Sequence, residues 1–207
     1  MKKTITFPLL FFGMLSWSQQ QYFFPIRQDS VELQSFLKVG TSLFDLYVGA
    51  ELTIIKDFTI NIETGFSAIG FRIREKQDNY GETRNSWRMR FDEDMSFYFA
   101  KSEFRWNYNF KKRHKEWKET AGSSSDYLAI QVKYFDGKSR ANSFFSENSG
   151  PDDVIFTSFQ WGLQRQMGYN FVLNFFIGYG WMYDFQTHKG VVAPSFGCKV
   201  NYHVLKL

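Results

Sequence analysis

Large apolar residues alternate with small or polar ones along most of this chain. The longest run covers residues 170–186. Phe171, Leu173, Phe175, Ile177, Tyr179, Trp181, Tyr183 and Phe185 fill its odd positions, and Asn170, Asn174, Gly178, Gly180, Asp184 and Gln186 are among the even ones. A helix repeats about every 3.6 residues and cannot hold such a row on one face, whereas a strand does so through its pleat. Residues 43–54 repeat the pattern, with Phe44, Leu46, Val48, Ala50, Leu52 and Ile54 opposite Asp45, Tyr47, Gly49, Glu51 and Thr53. Residues 58–74 set Phe58, Ile60, Ile62 and Phe66 against Asn61 and Glu63. Their phase flips near Ala68-Ile69, which predicts a β-bulge inside one strand. Residues 98–110 place Tyr98, Ala100, Phe104, Trp106, Tyr108 and Phe110 opposite Lys101, Glu103, Arg105, Asn107 and Asn109.

Segments 127–136, 155–166 and 195–204 alternate in the same way and bring the strands to seven. An eighth is predicted over residues 31–39, where Val31, Leu33, Leu37 and Val39 alternate with Glu32, Gln34 and Lys38 before a turn at 40–42. A single long, bent first strand is the alternative. The expected fold is all-β: an antiparallel up-and-down transmembrane β-barrel of eight strands, with one face of each strand toward lipid and the other toward a polar lumen. Tight turns at 55–57 and 167–169 then share one end of the barrel, and long polar connections at 75–92 and 139–153 share the other. Residues 111–125 break this asymmetry. They form a long connection on the tight-turn side, opening with Lys111, Lys112, Arg113, His114 and Lys115, and are expected to include a short helix.

Composition fits two-faced strands. Aromatic residues make up 20% of the chain, 25 of them Phe, yet the mean hydropathy is only −0.37. At the N-terminus, Lys2 and Lys3 precede an apolar run over residues 7–15, and Ser16-Trp17-Ser18 offers small residues for cleavage. This predicts a secretory signal peptide over residues 1–18, an extension over 19–30 and the barrel domain over 31–207. The apolar run is too short for a spanning helix, which takes about 20 residues. The lone Cys198 excludes an internal disulfide framework. Lys2 and Lys3 carry half of the formal net charge of +4, so the remaining balance gives no reason to expect a nucleic-acid partner.

The stretch Asn107-Tyr108-Asn109-Phe110-Lys111-Lys112-Arg113, followed by Ser123-Ser124-Ser125-Asp126-Tyr127-Leu128-Ala129, resembles the central hairpin of small Bacteroidetes-type outer-membrane β-barrel proteins. The Trp161-Gly162-Leu163-Gln164-Arg165 strand and the Gly178-Tyr179-Gly180 strand are similar to that family as well. The resemblance spans residues 30–207. It implies an outer-membrane barrel of unassigned function in a Gram-negative bacterium and carries over no functional residue. The chain departs from the family at its end, Leu205-Lys206-Leu207, where such barrels finish on an aromatic residue.

Asp45, Glu51, Glu63, Lys101, Glu103, Arg105, Lys133 and Lys199 all fall on the polar face. A narrow eight-stranded barrel is filled by its own side chains. These charges are therefore expected to pair as a plug that fixes register, with a narrow ion path as the alternative. Trp106, Tyr108, Trp181, Tyr183 and Tyr202 suit aromatic girdles at the two membrane interfaces. A buried core or a carbohydrate-stacking surface would use the same residues. Phe144 and Phe145 are candidate contacts in an outer loop, which could equally fold over the barrel mouth. The basic run from Lys111 reads as a solvated turn, or as a contact for a periplasmic partner or anionic head groups.

No cofactor, metal or catalytic set is expected. His114, His188 and His203 lie on different elements, and Ser195 and His203 sit about 26 Å apart along one strand. Outer-membrane lipid is the expected partner, an envelope protein a further one. Three roles follow: a structural or interaction barrel, a narrow transporter or channel for a small solute, or a soluble secreted barrel binding an apolar ligand.

Overall fold

A computed structural model describes residues 32–77, 83–91, 97–118, 120–136 and 153–207. The expected signal peptide and the extension after it lie outside them. Among the described residues ten strands form: β1 (Phe36–Ser42), β2 (Asp45–Ile55), β3 (Phe58–Ser67), β4 (Ile69–Gln77), β5 (Thr83–Phe91), β6 (Phe97–Trp106), β7 (Ser125–Asp136), β8 (Val154–Met167), β9 (Phe171–Asp184) and β10 (Lys189–Lys206). Eight close into a barrel in the order β1-β10-β9-β8-β7-β6-β3-β2, and β4 and β5 form a separate two-stranded sheet. Every neighbouring pair in the barrel is antiparallel. Closure pairs the first strand with the last, Val39 opposite Tyr202 and Ser42 opposite Lys199. The closed barrel leaves none of its eight strands as an edge.

The alternation expected from sequence is an inside–outside alternation. In β6, Phe97, Phe99, Lys101, Glu103 and Arg105 are buried, while Tyr98, Ala100, Ser102, Phe104 and Trp106 are exposed. In β9 the row Phe171, Leu173, Phe175, Ile177, Tyr179, Trp181 and Tyr183 lies on the outer wall and Val172, Asn174, Met182 and Asp184 are buried within. Phe185 falls beyond this strand, in the turn.

Four sequence expectations need correction. The first strand is not one bent element, and its turn is not at 40–42. The chain stays in β1 as far as Ser42 and turns at 43–44, where the Ser42 hydroxyl accepts from the Asp45 amide at 3.1 Å. The phase flip at Ala68-Ile69 is not a bulge inside one strand. The Ala68 amide donates to the Phe44 carbonyl at 2.7 Å, ending β3, and the chain leaves the wall there. Residues 75–92 are therefore not a plain polar loop, because most of them belong to the β4–β5 hairpin. Phe110 is not on the outer wall: it opens the short helix α1 (Phe110–Lys115) and is 1% exposed.

Both ends of the barrel are covered from within the chain. At the end holding both terminal strand ends, residues 107–118 and 120–124 fold back beneath the wall, with α1 followed by a 3-10 turn at Ala121–Ser123. Gly122 has φ of 58° and lies where a Cβ would meet Gln166 Oε1 at 2.7 Å, so the conformation and the space both favour glycine. Gln164 Nε2 donates to the Gly122 carbonyl at 2.9 Å, and the Gln166 amide donates to Ser124 Oγ at 2.9 Å. At the opposite end the β4–β5 hairpin lies across the mouth. Ile73 packs with Val154, Phe156, Met182 and Ala193, while Phe71 packs against Tyr47, Phe99 and Phe135. Those partners come from β2, β6, β7, β8, β9 and β10, so two side chains of the hairpin close the lumen across most of its circumference.

Candidate functional site: the charged lumen

Alternation brings one charged side chain after another into the same narrow space. Lys38 on β1, Glu51 on β2, Glu63 on β3, Lys101, Glu103 and Arg105 on β6, and Lys199 on β10 are each between 0 and 5% exposed. Four cations meet three carboxylates. Glu63 stands at the centre: it takes Lys38 Nζ at 2.9 Å and Lys199 Nζ at 3.4 Å, and it pairs with Lys101. Glu103 takes Arg105 Nε at 2.9 Å, Lys199 Nζ at 3.4 Å and Lys101 Nζ at 3.5 Å. Glu51 is reached by Arg105 Nη1 at 3.4 Å and by Lys38 Nζ at 4.0 Å. Lys38 and Lys199 each stand between carboxylates of two other strands, and Lys101 and Arg105 each between one of their own strand and one of another, so no charge is isolated from the opposite sign.

Neutral groups finish the network. Asn61 Nδ2 donates to Glu63 at 2.7 Å and to Glu103 at 3.4 Å. Arg105 Nη1 donates to Gln164 Oε1 at 2.8 Å, an oxygen that also accepts from Asn174 Nδ2 at 3.1 Å. The Arg105 guanidinium lies 4.5 Å from the centre of the Tyr127 ring. Such packing offsets part of the cost of removing charges from water, which opposite charge alone does not fully recover. A second pair stands nearer the hairpin end, where Lys133 Nζ donates to Asp45 Oδ2 at 2.9 Å and lies over the Phe99 and Phe135 rings.

The structure gathers Glu51, Glu63, Lys101, Glu103, Arg105 and Lys199 into one cluster and sets Lys133 apart with Asp45. Sequence reasoning missed Lys38. Its signal was present, since Lys38 falls on the polar face of the strand expected over residues 31–39, but it was not counted among the lumen charges. Asn61, Tyr127, Gln164 and Asn174 were missed as well, since neutral polar residues on an inward face carry no distinguishing mark. Phe144 and Phe145 lie outside the described residues.

Trp106, Tyr108, Trp181 and Tyr202 are exposed on the outer surface and Tyr183 is half-buried there. Trp106 and Tyr108 pack edge-on at the end carrying the termini, as do Phe171 and Tyr202. Trp181 and Tyr183 stand near the hairpin end of β9. At the exposed turn after α1, Lys118 Nζ donates to Glu116 Oε2 at 2.7 Å, which holds that carboxyl below the usual carboxylate range. Among the described residues no three His, Cys, Asp or Glu side chains converge as metal ligands, and no helix is long and apolar enough to cross a membrane. No family model, no curated protein and no solved structure matches the chain.

Proposed function

We propose that the chain is an integral outer-membrane β-barrel of a Gram-negative bacterium, with a structural or interaction role in the cell envelope and a lumen closed by its own charges. One observation carries this reading: the barrel is polar inside and apolar outside. Val48, Ile62, Ile130, Phe159, Ile177 and Phe196, from β2, β3, β7, β8, β9 and β10, are each at least half exposed. Water-soluble monomers rarely leave apolar patches of more than a few hundred Å². A band that follows the wall from strand to strand belongs against hydrocarbon.

The dimensions agree. From Phe171 to Trp181 on β9, ten steps of strand span about 33 Å, and a tilt of about 40° reduces this to roughly 25 Å of height, the usual apolar band of such barrels. Aromatic residues stand near both ends of that interval. The lumen supports a filled barrel over a conducting one, because its charged side chains have almost no contact with solvent. A soluble carrier of an apolar ligand would need an open apolar interior; this one is ionic at its middle, and its apolar end is filled by Phe71 and Ile73. The basic N-terminal residues and the apolar run after them supply the export route.

Membrane fractionation of the full chain, with gel mobility compared before and after boiling, tests the proposal. The protein is expected in the outer-membrane fraction, running faster unboiled because the folded barrel resists detergent. Recovery in the soluble periplasmic fraction would overturn the assignment.

A further inference from the structure

Helix α1 closes on an unexpected residue. The Trp117 amide donates to the His114 carbonyl at 3.1 Å, and the Lys118 amide donates to the Arg113 carbonyl at 3.0 Å. This pair of bonds is the Schellman closure of a helix, which sets a left-handed residue just past the cap, usually glycine. Here that residue is a tryptophan, with φ of 57°. A bulky side chain takes this conformation only with strain. Packing does not offset the strain, since Trp117 is 75% exposed.

A single exposed ring would need no explanation by itself. This one stands in a basic segment: residues 111–119 hold five Lys or Arg against Glu116 and Glu119. Lys112 and Lys115 are exposed, the Lys112 side chain at 76%. Lys118 reaches Glu116 and still keeps its side chain 57% exposed. Phe110, at the start of the same helix, is buried and anchors it to the barrel.

The segment begins at the rim of the wall. Lys111 Nζ donates to Asp57 Oδ2 at 2.6 Å, in the turn between β2 and β3. Beside that turn, Ile55 ends β2 and is 63% exposed. Just before the helix, Trp106 and Tyr108 pack edge-on at the outer surface. Helix α1 has only six residues, a length of about 9 Å. Its cations therefore stay close to the height at which the apolar band ends. A bilayer meets that height with its headgroups, where tryptophan is enriched and basic side chains are drawn to phosphate. A protein partner would call for a packed patch around its anchor residue, and Trp117 stands among charges instead.

We propose that Trp117 inserts into the headgroup layer of the leaflet at the end carrying both chain termini, where Lys112, Lys115 and Lys118 bind the phosphates of anionic phospholipids. The proposal rests on the membrane reading above. It accounts for the tryptophan, whose ring gains at the interface what the backbone gives up in the left-handed position.

The test uses the full chain, refolded and shown to be a barrel by its unboiled gel mobility. A barrel that fails to enter phosphatidylcholine nanodiscs would overturn the membrane reading and this proposal together; every other outcome bears on the proposal alone. The chain has six tryptophans, so Trp117 is read as the difference in emission between the native chain and W117G. In nanodiscs, phosphatidylcholine brominated close to its headgroup should quench most of that difference. In detergent, W117G should melt no lower than the native chain, because glycine suits the left-handed position. Phosphatidylglycerol in the nanodisc should raise the melting temperature of the native chain over phosphatidylcholine alone. K112Q/K115Q should lose most of that gain, and added salt should erase it. Difference emission that brominated lipid leaves untouched and acrylamide quenches would overturn the proposal and point to a partner in the aqueous phase. A W117G variant that melts well below the native chain in detergent would overturn it too, by showing that the ring holds the fold. So would a phosphatidylglycerol gain that K112Q/K115Q keeps or that salt leaves intact.

Discussion

Tyr127 lies flat over Gly162, its cross-strand partner in the β7–β8 pair, and its hydroxyl donates to Asn174 Oδ1 at 2.7 Å on β9. The arrangement recurs on the other side of the barrel. Tyr47 covers Gly40, its partner in the β1–β2 pair, and donates to Asn201 Oδ1 at 2.8 Å on β10. In each case a glycine lets a ring lie along the inner wall, and the hydroxyl fastens the next strand but one. A ring over a strand glycine is a known device for pinning register.

A Cβ at position 162 would meet the Tyr127 ring at 2.3 Å. Gly162→Val should destabilise the folded barrel by about 1–3 kcal/mol, as overpacking generally does. Tyr127→Phe keeps the ring and loses the hydroxyl, at about 1 kcal/mol. Urea unfolding in lipid vesicles measures both, and a valine variant as stable as the native chain would mean that the ring is free to move aside.

Arg105 answers both Glu103 and Glu51, and among the described residues the other ion pair of Glu51 is with Lys38 at 4.0 Å. Arg105→Leu should cost about 3–5 kcal/mol, the usual penalty for leaving a buried partner charge without its counterion. Adding Glu103→Gln to that variant should restore part of the loss. Lys38→Met should cost less, since Glu63 keeps Lys101 and Lys199. Thermal melting in detergent ranks the variants; a lysine variant worse than the arginine variant would contradict the pairing described.

Ile73 is 2% exposed among apolar side chains at the mouth. Ile73→Asp would place a carboxylate there at a cost of several kcal/mol, enough to lift the hairpin instead of burying the charge. Trypsin should then cut within residues 72–90 at least ~10-fold faster than in the native chain, with the barrel strands still resistant, because lifting the hairpin makes cleavage track its open population. An unchanged digestion rate would show that Ile73 does not hold the lid.

Charge placed on the outer wall should be penalised by depth. Ile130 is at mid-strand of β7 and Met167 at the end of β8, and both are about half exposed. In vesicles, Ile130→Arg should cost about 2–4 kcal/mol and Met167→Arg about 0–1 kcal/mol. Equal and negligible costs would be the mark of a wall that meets water.

The eight wall strands, and which residues of each face inward, are legible in the chain alone, because that information is local. A strand between two media of opposite polarity must alternate, and the rows through Phe171 and Tyr98 do so whatever their neighbours are. It also held the composition of the lumen, the inward charges from Asp45 to Lys199. Which groups meet is settled by the fold. Lys38 joins Glu63, and Lys133 joins Asp45 and not Glu103, because strand tilt and stagger displace neighbouring strands by amounts that no single strand encodes. The lid was hidden for a related reason. A hairpin with one apolar face alternates just as a wall strand does, so residues 69–74 read as more wall until the hydrogen bond from Ala68 to Phe44 shows where the chain departs.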